Sequence, residues 1–126
     1  MTRDLKGISS LLAALGDERH LRILAVLGQR ELCVCELVDT LRLPQYEVSR
    51  HLAMLKKGGL VADRREGRWV YYSVSSSVTR EPFIRELLQL LGRLAGSGME
   101  MSGELARLRK RLDLRVGGCC TIGLRS

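Results

Sequence analysis

A mainly α-helical chain with one small β-hairpin is the architecture this sequence predicts, and three observations predict it. Apolar residues recur at helical spacing in six separate stretches. Residues 60–63 and 69–73 are rich in strand-forming side chains and flank Arg64-Arg65-Glu66-Gly67-Arg68, a basic turn with glycine where a turn needs it. The core material is 45% apolar but only 4% aromatic, which suits packed Leu, Val and Ile on helices. At 126 residues the chain supports one globular body. Residues 1–95 form its main unit, and 96–126 carry a C-terminal helix and a cysteine-containing tail. No apolar run approaches the roughly 18 residues of a membrane span, and no signal-peptide pattern opens the chain. A cytoplasmic protein without membrane contact is expected.

The elements follow in order. Leu5, Ile8, Leu11, Leu12 and Leu15 mark a first helix that Gly16 ends. Asp17 is a good N-cap for a second helix, residues 18–27, with Leu21, Ile23, Leu24 and Leu27 on its apolar face. His20, in its first turn, has no ligand at i+4 and reads as structural or solvated. A third helix is expected over 31–41, with Leu32, Leu37 and Leu41 buried. Pro44 then pushes Leu43 out of helical geometry and itself fits a helix start.

The fourth helix, 45–57, carries the most information. At 100° per residue, Val48, Leu52 and Leu55 share an inward face. Gln45, Tyr46, Ser49, Arg50, Ala53 and Lys57 lie away from it. A helix entering the major groove of DNA needs that mixture: small residues for approach, arginine for guanine edges, hydroxyls and lysine for phosphates. His51 borders the apolar side and reads as a packed residue. Gly58-Gly59 stops the helix, and the hairpin that follows makes a winged helix-turn-helix. Arg64, Arg65 and Arg68 at its tip can reach phosphates or a minor groove. The net charge of +7 is concentrated accordingly. Residues 45–72 hold six Lys/Arg against three acids, and 102–126 hold six against two, while the remainder balances. Excess at defined places favours a polyanion such as double-stranded operator DNA over a generally basic surface.

Residues 75–77 read as a connector. A helix is expected from Thr79 to residue 94, with Pro82 in its first turn. Its apolar residues cover too wide an arc for one buried face, so Leu87, Leu88, Leu91 and Leu94 are expected at a homodimer interface that the first helix can join. A two-fold dimer presents two reading helices to half-sites about one DNA turn apart. After the break at 96–98, residues 103–112 form a short amphipathic helix. Gly117-Gly118 leads into Cys119-Cys120.

At this point the residues resemble the ArsR/SmtB family of metal-sensing repressors, over about 5–95. Leu15-Gly16-Asp17 with Arg22-Ile23-Leu24 resembles its early helix signature. Glu31-Leu32-Cys33-Val34-Cys35-Glu36-Leu37 resembles the cysteine box of its arsenic, antimony and cadmium/lead sensors. Val48-Ser49-Arg50-His51-Leu52, Leu55-Lys56 and Gly59-Leu60-Val61, with the wing at 65–68, resemble its reading helix. The resemblance, closest to the arsenic-sensing branch, implies a homodimeric repressor that leaves its operator when metal binds. Two departures stand out. The third cysteine many arsenic sensors carry three residues after the second is Val38 here, and no cysteine precedes Cys33. Residues 79–94 contain no histidine, which argues against a zinc-type site there.

Four cysteines in a cytoplasmic context point to metal or redox chemistry rather than structural disulfides. Thiolates favour soft ions, and Cys33 and Cys35 completed by Cys119 or Cys120 offer three sulfurs, which suits As(III) or Sb(III), with Cd(II) and Pb(II) as alternatives. Cys33 and Cys35 in a regular helix point about 200° apart, so ligation is expected to unwind the first turn of the helix that braces the reading helix. The bland alternative is a pair of small buried hydrophobes. A competing function keeps the DNA binding and makes the thiols a disulfide or persulfide sensor. An enzyme is disfavoured, because there is no C-x-x-C, no proton-transfer partner for the thiols and no βαβ pattern.

Overall fold

The computed structural model describes residues 4–96 and 99–117, without side-chain detail at 91, 92, 94–96 and 99–102. Asp4 and Asp17 cap the first two helices through their carboxylates: Gly7 N–H donates to Asp4 at 2.8 Å and Arg19 N–H to Asp17 at 2.8 Å. These helices are α1 (Leu5–Leu15) and α2 (Glu18–Leu27). Strand β1 (Leu32–Cys33) leads directly into α3 (Val34–Leu41). A left-handed residue, Arg42 (φ 55°), then turns the chain toward α4 (Gln45–Lys57). Strands β2 (Val61–Glu66) and β3 (Trp69–Val74) form the wing, followed by α5 (Ser76–Thr79), α6 (Pro82–Gly96) and α7 (Met99–Leu112).

The core is aliphatic, as the composition predicts. Ile23, Leu32, Leu37, Leu41, Val48, Leu52, Leu55, Leu60 and Ile84 are almost wholly excluded from solvent. Truncating one of these leucines to alanine costs roughly 2–5 kcal/mol. None of the helices among the described residues is long and apolar enough to cross a membrane.

Four expectations need correction. Residues 31–41 are not one helix: Leu32 and Cys33 are extended and pair antiparallel with Tyr72 and Tyr71 of β3, giving a three-stranded sheet in the order β1-β3-β2. Two residues are too few to show a period of two, so only the partner strand reveals them. The wing is longer than expected and its loop tighter. Pairing runs from Val61↔Val74 to Glu66↔Trp69, leaving Gly67-Arg68 as a two-residue loop with Gly67 at φ +60°. Arg64 and Arg65 therefore lie on β2, not at the tip. The helix expected from Thr79 begins at Pro82, because Thr79 ends the separate short α5. The last helix begins at Met99, ahead of the expected residue 103, and Leu105, Leu108 and Leu112 pack against the core.

Candidate functional site

The two central cysteines meet at the corner where β1 becomes α3. Cys33 is extended (φ −86°, ψ 168°) and serves as N-cap, while Cys35 lies in the first helical turn. The 200° separation of a regular helix does not apply, because Cys33 is outside the helix. The Sγ atoms are 2.9 Å apart and both residues are buried. The expected unwinding is thus unnecessary to bring the thiols together.

Glu36 sits behind them, fully buried. Its Oε1 accepts from Cys33 N–H at 3.1 Å and from Cys33 Sγ at 3.3 Å. Arg115 closes the corner: its Nε donates to Glu36 Oε2 and its Nη2 to Oε1, each at 2.7 Å, and Nη2 also donates to the Glu31 carbonyl at 2.7 Å. Burial pushes the Glu36 carboxyl up, but the bonds from Arg115 and Cys33 outweigh it and hold it below its ordinary value. The same carboxylate holds the Arg115 guanidinium above its own. Tyr71, paired with Cys33 across the sheet, packs against both cysteines and under Arg115, whose guanidinium carbon is 5.4 Å from the ring centre.

Neither Glu36 nor Arg115 stood out in the sequence. A signal existed: Arg107, Arg111 and Arg115 recur every four residues, the spacing of one helix face. That face docks on α3. Arg107 Nε donates to the Thr40 carbonyl at 2.8 Å, and Arg111 Nε to Asp39 at 2.6 Å. This corrects the reading of the C-terminal charge excess, because three of its six cations are used inside the molecule. Cys119 and Cys120 lie outside the described residues.

On α4 the division of faces follows the expectation. Val48, His51, Leu52 and Leu55 are buried, and Gln45, Tyr46, Ser49, Arg50, Ala53 and Lys57 are exposed. Lys56 bridges to Asp63 at 2.8 Å, tying the helix to the wing. Arg64, Arg65 and Arg68 are all exposed, though in different ways. Arg64 lies over Tyr71 and is held by Glu31 at 2.6 Å and Glu66 at 2.9 Å. Arg68 stacks on Trp69 at the loop. On α6, Ile84 is buried, Leu87 and Leu88 are half-buried against the core, and Phe83 and Leu90 are exposed, as are Leu5 and Leu12 on α1. The side chains of Leu91 and Leu94 lie outside the described residues. His51 is packed, as expected, and so is His20, edge-on to it with ring centres 4.9 Å apart.

Comparison with known proteins places this arrangement. Residues 17–63 match the family described as bacterial regulatory protein, arsR family. The chain is 47% identical over 62 residues to the arsenic resistance transcriptional regulator ArsR1 of Pseudomonas putida, covering 49% of this chain and 48% of that protein. It is 37% identical over 113 residues to ArsR2 of the same organism, an arsenic resistance transcriptional regulator, covering 85% of this chain and 92% of that one. Among solved structures, the homodimeric winged helix-turn-helix DNA-binding domain of Mb0332 from Mycobacterium bovis superposes with a TM-score of 0.58 at 33% identity, covering 72% of this chain and 80% of that one. These relatives are regulators or a DNA-binding domain, not enzymes, and the fold is the winged helix-turn-helix expected. The chain belongs to the arsR family of bacterial regulatory proteins.

Proposed function

We propose that this protein is a metalloid-responsive transcriptional repressor. It binds operator DNA as a homodimer and is released when As(III) or Sb(III) takes the thiolates of Cys33 and Cys35. The observation that carries the reading is the thiol contact of 2.9 Å on a residue paired with the wing. Cys33 belongs to the sheet that holds β3, and Cys35 to the helix that precedes α4. A ligand that repositions both sulfurs acts on both DNA-facing elements at once. Such a switch requires tighter ligand binding in the DNA-incompetent state, and a tenfold preference corresponds to about 1.4 kcal/mol.

Each thiol that binds exchanges its S–H for an S–As bond, and its proton leaves with one hydroxide of arsenous acid as water. Cys119 or Cys120 supplies the third sulfur. Gln45, Tyr46, Ser49, Arg50 and Lys57 read the major groove, and Arg65 and Arg68 contact flanking backbone. Arg64 joins them by exchanging its carboxylate partners for phosphate. The dimer forms through α6 and α1, with Leu87, Leu88, Leu91 and Leu94 of α6 as its interface residues and the exposed Phe83 and Leu90 extending it.

Fluorescence anisotropy of a duplex from upstream of the protein's own gene tests this directly. Reduced protein should bind it, arsenite or antimonite should release it, and Cys33→Ser should bind but no longer respond. Release by cadmium or lead alone would move the site to those ions. Tight binding indifferent to every ion, but lost with peroxide or polysulfide, would replace the metalloid reading with thiol oxidation. Persistent arsenite response in Cys119→Ser/Cys120→Ser would remove the tail from the site.

A further inference from the structure

A second group of metal-ligating side chains lies away from the thiols, between α2 and the reading helix. Asp17, His20 and His51 each offer one ligand atom, and these atoms lie within 4.8 Å of one another. His20 and His51 are 3% and 5% exposed. His20 Nδ1 donates to the Ala14 carbonyl at 2.9 Å, which leaves the lone pair on Nε2. Among the described residues, that Nε2 and both ring nitrogens of His51 are buried without a hydrogen-bond partner. Buried polar atoms in native proteins are nearly always partnered, and those that are not call for an unseen water or ion. A histidine anchored through one nitrogen to a backbone carbonyl, with the other free, has the arrangement of a metal ligand and its outer support. Asp17 uses Oδ1 for both of its cap bonds, to Arg19 and His20 N–H.

We propose that Asp17, His20 and His51 form a second metal site, for a borderline divalent cation such as Zn(II) or Co(II). Two imidazoles and a carboxylate are hard for a soft thiophilic ion and suit these cations, with water as the fourth ligand. Donors about 2.0–2.1 Å from a tetrahedral ion stand roughly 3.3 Å apart, so the side chains close by about 1.5 Å at most from the separation they show. The ion joins the N-cap of α2 to the middle of α4. It thereby fixes the reading helix to the body of the protomer. The site shares no residue with the thiol corner and does not depend on the metalloid reading.

The test is titration of Co(II) into full-length Cys33→Ser/Cys35→Ser/Cys119→Ser/Cys120→Ser protein, followed by visible absorption. One equivalent should bind, with ligand-field bands, no thiolate charge-transfer band, and displacement by Zn(II). His20→Gln and His51→Gln should each weaken binding at least tenfold. Asp17→Asn keeps the helix cap but removes the charge, and should also weaken it, so the inference stands or falls even if a histidine variant misfolds. Wild type titrated alongside should show the same bands as a thiolate-free component, which covers failure of the four-serine variant to fold. Zn(II) should raise the melting temperature of the parent and not of His20→Gln. No cobalt bound in either background, or binding unchanged by all three substitutions, would overturn the site and leave a packed histidine pair.

Discussion

The thiol corner and the histidine pair are both buried, both polar and both attached to the helix-turn-helix, yet they are solved in opposite ways. At the corner, Glu36, Arg115 and Cys33 satisfy one another through bonds of 2.7 to 3.3 Å. At the histidine pair, three ring nitrogens have no hydrogen-bond partner among the described residues. The difference bears on what a ligand does at each place. A metalloid at the corner enters an already satisfied network and must displace bonds, which couples binding to rearrangement. A cation at the histidines supplies partners that are lacking, which couples binding to rigidity. One site has the makings of a switch, the other of a clamp.

Deleting one partner of the thiol corner has the largest expected effect. Arg115→Ala leaves Glu36 buried without its cation and should lower stability by about 3–5 kcal/mol in urea unfolding. Replacing both, as Glu36→Gln/Arg115→Met, should recover a large part of that loss. A loss under about 1 kcal/mol for Arg115→Ala would mean the corner is not a coupled network. Next is a test of the two faces of α4. Arg50→Ala should weaken operator binding by about 1–3 kcal/mol through a lost base contact, with the unfolding midpoint unchanged. Acid should then expose Glu36 selectively. Its carboxyl is held below the ordinary 4.5, so its contribution is complete above that value and is lost as pH falls through its folded value. The stability gap between wild type and Glu36→Gln should narrow below about pH 4.5; a gap constant with pH would contradict the assigned pairing. The smallest effect belongs to the histidines. His51→Leu removes two unpartnered nitrogens and should change metal-free stability by less than about 1 kcal/mol. A loss of several kcal/mol would show that its ring is satisfied after all.

Legibility in the sequence followed the range of each interaction. Helices α1, α2 and α4 could be read to the residue, because Asp17, Pro44 and the flanking glycines act within a turn of the chain. The exposed face of α4 was equally legible from its period alone. The pairing of Cys33 with Tyr71 was not, because β1 has two residues and its partner is 38 positions away.

The winged helix-turn-helix, the exposed face of α4 and the identity of the two central thiols were legible in the chain alone. These rest on local propensity, periodicity and capping. Long-range packing settled that Cys33 is extended rather than helical, that Arg107, Arg111 and Arg115 bond to α3, and that His20 meets His51. In each case the deciding contact joins segments 31 or more residues apart. Such contacts form where burial leaves a charge or an edge strand no other partner, and no local pattern specifies which partner that will be.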